Sequence, residues 1–134
     1  MIDIEVDIFD KVARAVMDEF PEAFCSSVHV QAPASFPAVF VREISNVTAT
    51  DRLDSDQREK ASFVSYQVDV YSNLRLGART QAKKISQLVD GLLVSMNFNR
   101  TYSAPTENPA DSEVYRITMR YTALVDESNR IYRR

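Results

Sequence analysis

With 134 residues, 45% of them hydrophobic and 26% charged, the chain is the size of one domain with its own core, and its profile excludes a disordered or low-complexity protein. A formal net charge of -3 speaks against a protein whose main task is to wrap nucleic acid, because phosphate binding draws on clustered Lys and Arg. Only two glycines and one cysteine are present, which excludes glycine-rich phosphate loops and an internal disulfide.

Residues 1–134 read as a single domain. The opening "MIDIEVDIFD" is acidic where a secretory signal would be basic, and no apolar run approaches the roughly 18 residues that cross a bilayer. A cytoplasm-like compartment without membrane contact is therefore expected. From Asp3 to Phe20 the residues Ile8, Phe9, Val12, Ala13, Val16 and Phe20 form one apolar helical stripe, which Pro21 ends. A short strand is expected around Val28 to Val30 and a stronger one from Ala38 to Ile44, with Pro33 and Pro37 marking the turn between them.

Asn46 to Lys60, "NVTATDRLDSDQREK", lacks any period that would seat it on a core, and is expected to be a long exposed loop or a hairpin tip. "ASFVSYQVDVYS" then alternates, with Val64, Tyr66, Val68 and Val70 on one face and Ser65, Gln67 and Asp69 on a face turned to water. Ala78, Ala82, Ile85, Val89, Leu92 and Met96, widened by Leu88 and Leu93, mark the best-defined helix, with Arg79, Lys83 and Lys84 outside. Gly91 within it signals either close packing or simple tolerance. A closing hairpin of "FNRTYS" and "EVYRITMRYTALV" is expected around "APTENPADS". Its last strand carries Tyr115, Ile117, Met119, Tyr121, Ala123 and Val125 on one face and Arg116, Thr118, Arg120 and Thr122 on the other. The order of elements contains no βαβ repeat. It implies an α+β fold: one mainly antiparallel or mixed β-sheet of about four to five strands, with two main α-helices packed on it and a long exposed loop.

Chemistry is sparse. His29 stands alone in a strand-like stretch and suits a structural or surface role, Cys25 lies among apolar neighbours as a buried thiol would, and one of each is too few for a zinc site. Asp51, Asp54, Asp56 and Glu59 crowd the long stretch, but without calcium-loop spacing. Arg52, Arg58 and Lys60 are interleaved with them, as in a solvated or partner-facing segment. No enzymatic activity, cofactor or metal is expected.

The features a lone subunit does not need lie elsewhere. Arg116 and Arg120 line the polar face of the last strand, and Arg130, Arg133 and Arg134 follow it with Ile131 and Tyr132 between them. Arg and Tyr are enriched at interface hot spots. Past Val125, "DESN" reads as a turn and "RIYRR" as a short arm with a partner to pack on. Asp51, Arg52, Asp54, Asp56 and Arg58 belong to the stretch that is solvated or partner-facing.

An acidic amphipathic first helix, "PAVFVREI", a long charged stretch, "SYQVDVYSN" running into "ARTQAKKISQLVDGLL", and a closing "YRITMRYTALVDESNRIYRR" together resemble the tail terminator, or tail completion, proteins of long-tailed bacteriophages and prophages. The resemblance covers nearly the whole chain and is most specific from Tyr66 to Leu93 and from Tyr115 to Arg134. It implies a sheet flanked by helices and a virion role at the head-proximal end of the tail, with assembly in the bacterial host cytoplasm. The implied partners are further copies in a hexameric ring, the tail tube protein and a head-connector or neck protein, with DNA only as passing cargo. Such a ring is head-to-tail, so two different patches on each subunit must match. Two other readings remain: another neck, head-closure or minor capsid component, and a small ligand-binding or hydrolase domain using the carboxylates between Asp51 and Glu59 beside an apolar pocket.

Overall fold

A computed structural model of the chain describes residues 1–28, 33, 35–49, 60–106 and 114–132. Among them, two helices and a five-stranded mixed sheet form an α+β domain, in the order α1 (Glu5–Glu19), β1 (Phe24–Ser26), β2 (Ala38–Thr48), β3 (Ala61–Ser72), α2 (Ala78–Ser95), β4 (Asn99–Thr106) and β5 (Tyr115–Asp126). The strands lie side by side as β1-β2-β3-β5-β4. All neighbours are antiparallel except β1 and β2, which run parallel with Cys25 opposite Val39.

α1 starts where the Asp3 carboxylate accepts the Glu5 N–H at 3.0 Å, and Glu5 and Asp7 in its first turn suit the positive end of the helix dipole. It buries Ile8, Val12 and Val16 and stops before Pro21. The chain then turns tightly, with the Ala23 N–H bonded to the Phe20 carbonyl at 2.9 Å, and enters β1. The first strand is thus Phe24–Ser26, earlier than the Val28–Val30 expected. Val28 is exposed outside any strand, and residues 29 and 30, His29 included, lie outside the described residues. Phe24, by contrast, bonds through its N–H to the Pro37 carbonyl at 2.9 Å.

β2 runs four residues past the expected end. Beyond an irregularity between Glu43 and Ser45, Asn46, Val47 and Thr48 pair with Val64, Phe63 and Ser62. The stretch from Asn46 therefore begins as strand, and β2 and β3 are the two arms of a hairpin. Residues 50–59, with Asp51, Arg52, Asp54, Asp56 and Arg58, lie outside the described residues. β4 likewise runs through Pro105 to Thr106, because it is an edge strand and the missing N–H of proline costs no ladder bond on an outer edge.

The two helices cover one face of the sheet. Ala82, Ile85, Val89 and Leu93 of α2 meet Val64, Tyr66, Val68 and Val70 of β3 and Ile117, Met119 and Tyr121 of β5, all nearly inaccessible. Phe98 closes one end of this core edge-on to Tyr66, with ring centroids 5.7 Å apart. A second, smaller cluster of Ala38, Phe40, Tyr71 and Val114 lies on the opposite face, with Phe24 and Phe36 against it. Nothing lies within 4 Å of where a Cβ on Gly91 would be, so tolerance, and not close packing, accounts for that glycine.

Candidate assembly surface

The face without helices is built in transverse rows, because antiparallel register places side chains of neighbouring strands in line. At one end stand Ala38, Tyr71 and Arg116, then Phe40, Asp69 and Thr118, then Arg42, Gln67 and Arg120. Ser45, Ser65 and Thr122 follow, and Val47, Phe63 and Leu124 finish the face.

The middle of this face is a closed polar lattice. Arg116 donates from Nε and Nη2 to Asp69 Oδ1 at 3.2 and 3.0 Å, Thr118 donates to the same oxygen at 2.7 Å, and Gln67 donates to Asp69 Oδ2 at 3.0 Å. Thr106 donates to the Thr118 hydroxyl at 2.9 Å, and Arg120 Nε donates to Gln67 Oε1 at 3.2 Å. Both guanidinium groups also lie over rings, Arg116 at 5.3 Å from the Tyr71 centroid and Arg120 at 5.2 Å from that of Tyr102. Burial pushes the Tyr71 phenol up, against the opposing pull of Arg116.

This lattice changes the expected picture of β3. Gln67 and Asp69 occupy the polar phase of the strand, yet Asp69 is only 2% exposed. The long side chains of β5 fold over them, so polarity marks bonding here and not contact with water. Arg116 is half-buried and held by Asp69, whereas Arg120 is exposed. Neither is a loose cation waiting for a partner.

The apolar end of the face is different. Val47 is 59% exposed and Phe63 52%, on adjacent strands and directly opposite each other, with half-buried Leu124 next in the row. The Tyr132 N–H bonds to the Leu124 carbonyl at 2.8 Å and brings Tyr132 to the end of the same row. An apolar row half in water beside such a lattice is what an interaction surface looks like.

Tyr132 arrives there because the chain end folds back. Asp126 Oδ1 accepts the Ser128 and Arg130 N–H groups at 2.8 and 2.9 Å, Asn129 takes a positive φ of 62°, and the Asp126 N–H meets the Arg130 carbonyl at 2.9 Å. Ile131 then pairs with Val125 and packs on the main core. The turn falls on "DESN" as expected, but Ile131 and Tyr132 are not a free arm: their first partner is β5, on the side that β4 leaves open beyond Asn99. Arg130 is exposed, and Arg133 and Arg134 lie outside the described residues.

The covered face holds two partly buried polar pairs. Tyr121 donates to Asp90 Oδ1 at 2.7 Å, and Arg100 reaches the same oxygen at 3.1 Å. Tyr66 points to Glu43 Oε1 at 3.4 Å, while Asn46 donates to the same atom at 3.3 Å and to the Ile2 carbonyl at 2.7 Å. Burial first, then the charges of Asp3 and Glu5, push the Glu43 carboxyl up. The Cys25 thiol is pushed up to about 11 by burial, so little of it is thiolate at neutral pH. Among the described residues, no group of three or more His, Cys, Asp or Glu could hold a metal ion, and no helix is long and apolar enough to cross a membrane.

Val47, Phe63 and Leu124 are the surface residues that sequence reasoning passed over. The signal was present: Phe63 shares the phase of Ser65, Gln67 and Asp69, and Leu124 that of Arg116 to Thr122, so each is a large apolar residue on a polar register. No protein-family model and no curated protein sequence matches the chain.

Proposed function

We propose that the chain is a structural assembly subunit that works through its surfaces and carries out no reaction. More particularly, we infer a tail terminator of a long-tailed phage or prophage: a subunit that forms a ring on the head-proximal end of the tail tube, stops its growth and meets the neck. The sequence resemblance motivates this reading, and a sheet flanked by helices is the fold it implies. The observation that carries it is the half-exposed apolar row of Val47, Phe63, Leu124 and Tyr132 beside the hydrogen-bonded lattice around Asp69. Such a surface offers contact area that is already ordered, so little side-chain entropy is lost on docking. The ring partners are further copies, with tail tube protein on one side and a neck protein on the other. Another neck or head-closure role would use the same surface.

Polymerising tail tube protein with and without the purified chain tests the reading. Tubes of limited length with an added ring at one end are expected in electron micrographs. A strictly monomeric chain that leaves tube length unchanged would sink the proposal.

A further inference from the structure

The helical layer ends before the sheet does. A packed helix occupies roughly 10 Å across a sheet and a strand about 4.8 Å, so two helices cover about four strands. α1 lies over β2, and α2 over β3, β5 and part of β4. Between α2 and the edge strand β4 this leaves a groove of about 240 Å³. Ile117 and Met119 form its floor, Lys83 and Ser86 its helical wall, and Arg100 and Ser103 its strand wall.

Two observations say what the groove lacks. Ser86 is only 8% exposed, and its hydroxyl makes no hydrogen bond among the described residues, although an unmatched buried hydroxyl is costly. Among the described residues that line the groove, Lys83 and Arg100 outnumber the one carboxylate, Asp90, which Arg100 and Tyr121 already engage. The volume falls below the roughly 300 Å³ at which small-molecule pockets begin, which suits a protein side chain better than a cofactor.

The same chain carries a surface that matches. α1 turns Ile8, Val12 and Val16 to its own sheet, and Val6, Asp10, Ala13 and Met17, at steps of four, three and four, lie away from that stripe. Val6 is 73% exposed, and Asp10 and Met17 are exposed too. Residues 1–22 hold seven acidic side chains against two basic, whereas residues 79–100 hold four basic against one acidic.

We propose that the groove between α2 and β4 is a docking site for the outer stripe of α1 from a second copy of this chain. The incoming helix takes the third place in the helical layer, sets Val6 over Ile117 and Met119, and brings carboxylates to Lys83 and the Ser86 hydroxyl. Groove and stripe are different surfaces of one chain, so the contact repeats head to tail and can close into a ring. Opposite charge sets the register. The inference rests on the ring-forming reading above and names the surfaces that make the ring.

Val6→Arg and Ser103→Trp, both at exposed positions, test it by blocking the stripe and filling the groove. Each is expected to melt as the wild type does and to weaken self-association by about tenfold or more, measured by sedimentation of the purified chain and by ring formation on tail tubes. Leu76→Arg, equally exposed but outside both surfaces, keeps wild-type association. Mixing Val6→Cys with Ser103→Cys yields disulfide-linked dimers that neither variant yields alone. Wild-type association of Val6→Arg and Ser103→Trp, or a mixture that fails to cross-link, overturns the inference. If those variants still cap tubes normally, only the groove is refuted. A wild-type chain that neither associates nor caps refutes the proposed function as well.

Discussion

The two faces of the sheet are stabilised in different ways, although both are largely dry at the centre. The helix-covered face is an apolar core in which volume and shape decide stability. The open face buries Asp69, Gln67 and Thr118 under neighbouring strands and holds them with an ion pair, hydrogen bonds and two guanidinium–ring contacts. A core of the first kind needs a second layer above it. A lattice of the second kind closes over itself and leaves the face beyond it free to meet another protein.

The largest expected effect is on the covered face. Leu93→Ala should cost about 4 kcal/mol in urea unfolding, the range for emptying a fully buried leucine site. On the open face, Asp69→Ala should cost about 3 kcal/mol, because it strands the Arg116 charge together with the donors of Thr118 and Gln67. Replacing both Asp69 and Arg116 by Leu and Met should recover most of that loss, a recovery with no counterpart in the apolar core. Removing residues 131–134 should cost about 2 kcal/mol, through the Ile131 packing and the Tyr132–Leu124 bond. A truncated chain with unchanged stability would mean that the return strand is not part of the domain.

The smallest effect concerns pH. Glu43 holds its proton more tightly folded than unfolded, so its contribution is complete below the ordinary carboxylate pKa and is lost as pH rises through the raised value. Thermal melts from pH 4 to 7 should therefore show a fall in the wild type, relative to Glu43→Gln, that begins in the ordinary carboxylate range and ends above it.

Much of the fold was legible in the sequence because its periodicities are clean. The stripe from Ala78 to Met96 and the alternation of β3 and β5 place the right side chains on the covered face, and the α+β class follows. The parallel β1–β2 pair was not legible, since three residues carry too little pattern to show a direction. Strand ends were missed at Asn46 to Thr48 and at Pro105, where pairing across the sheet outweighs local polarity or proline. The open face was half legible: Arg116 and Arg120 stood out by residue type, but their partners Asp69, Gln67, Tyr71 and Tyr102 come from register, which a single strand does not reveal. Ile131 and Tyr132 read from the sequence as apolar residues that need something to pack on, and the surface they meet is that of their own domain.

Phe63→Asp tests whether the apolar end of the open face is an assembly surface. Phe63 lies on that surface and outside the main core, so the variant should fold and melt within a few degrees of the wild type. It should no longer limit tail tube length or add a ring to the tube end in electron micrographs. A stably folded Phe63→Asp protein that caps tubes as efficiently as the wild type would contradict it.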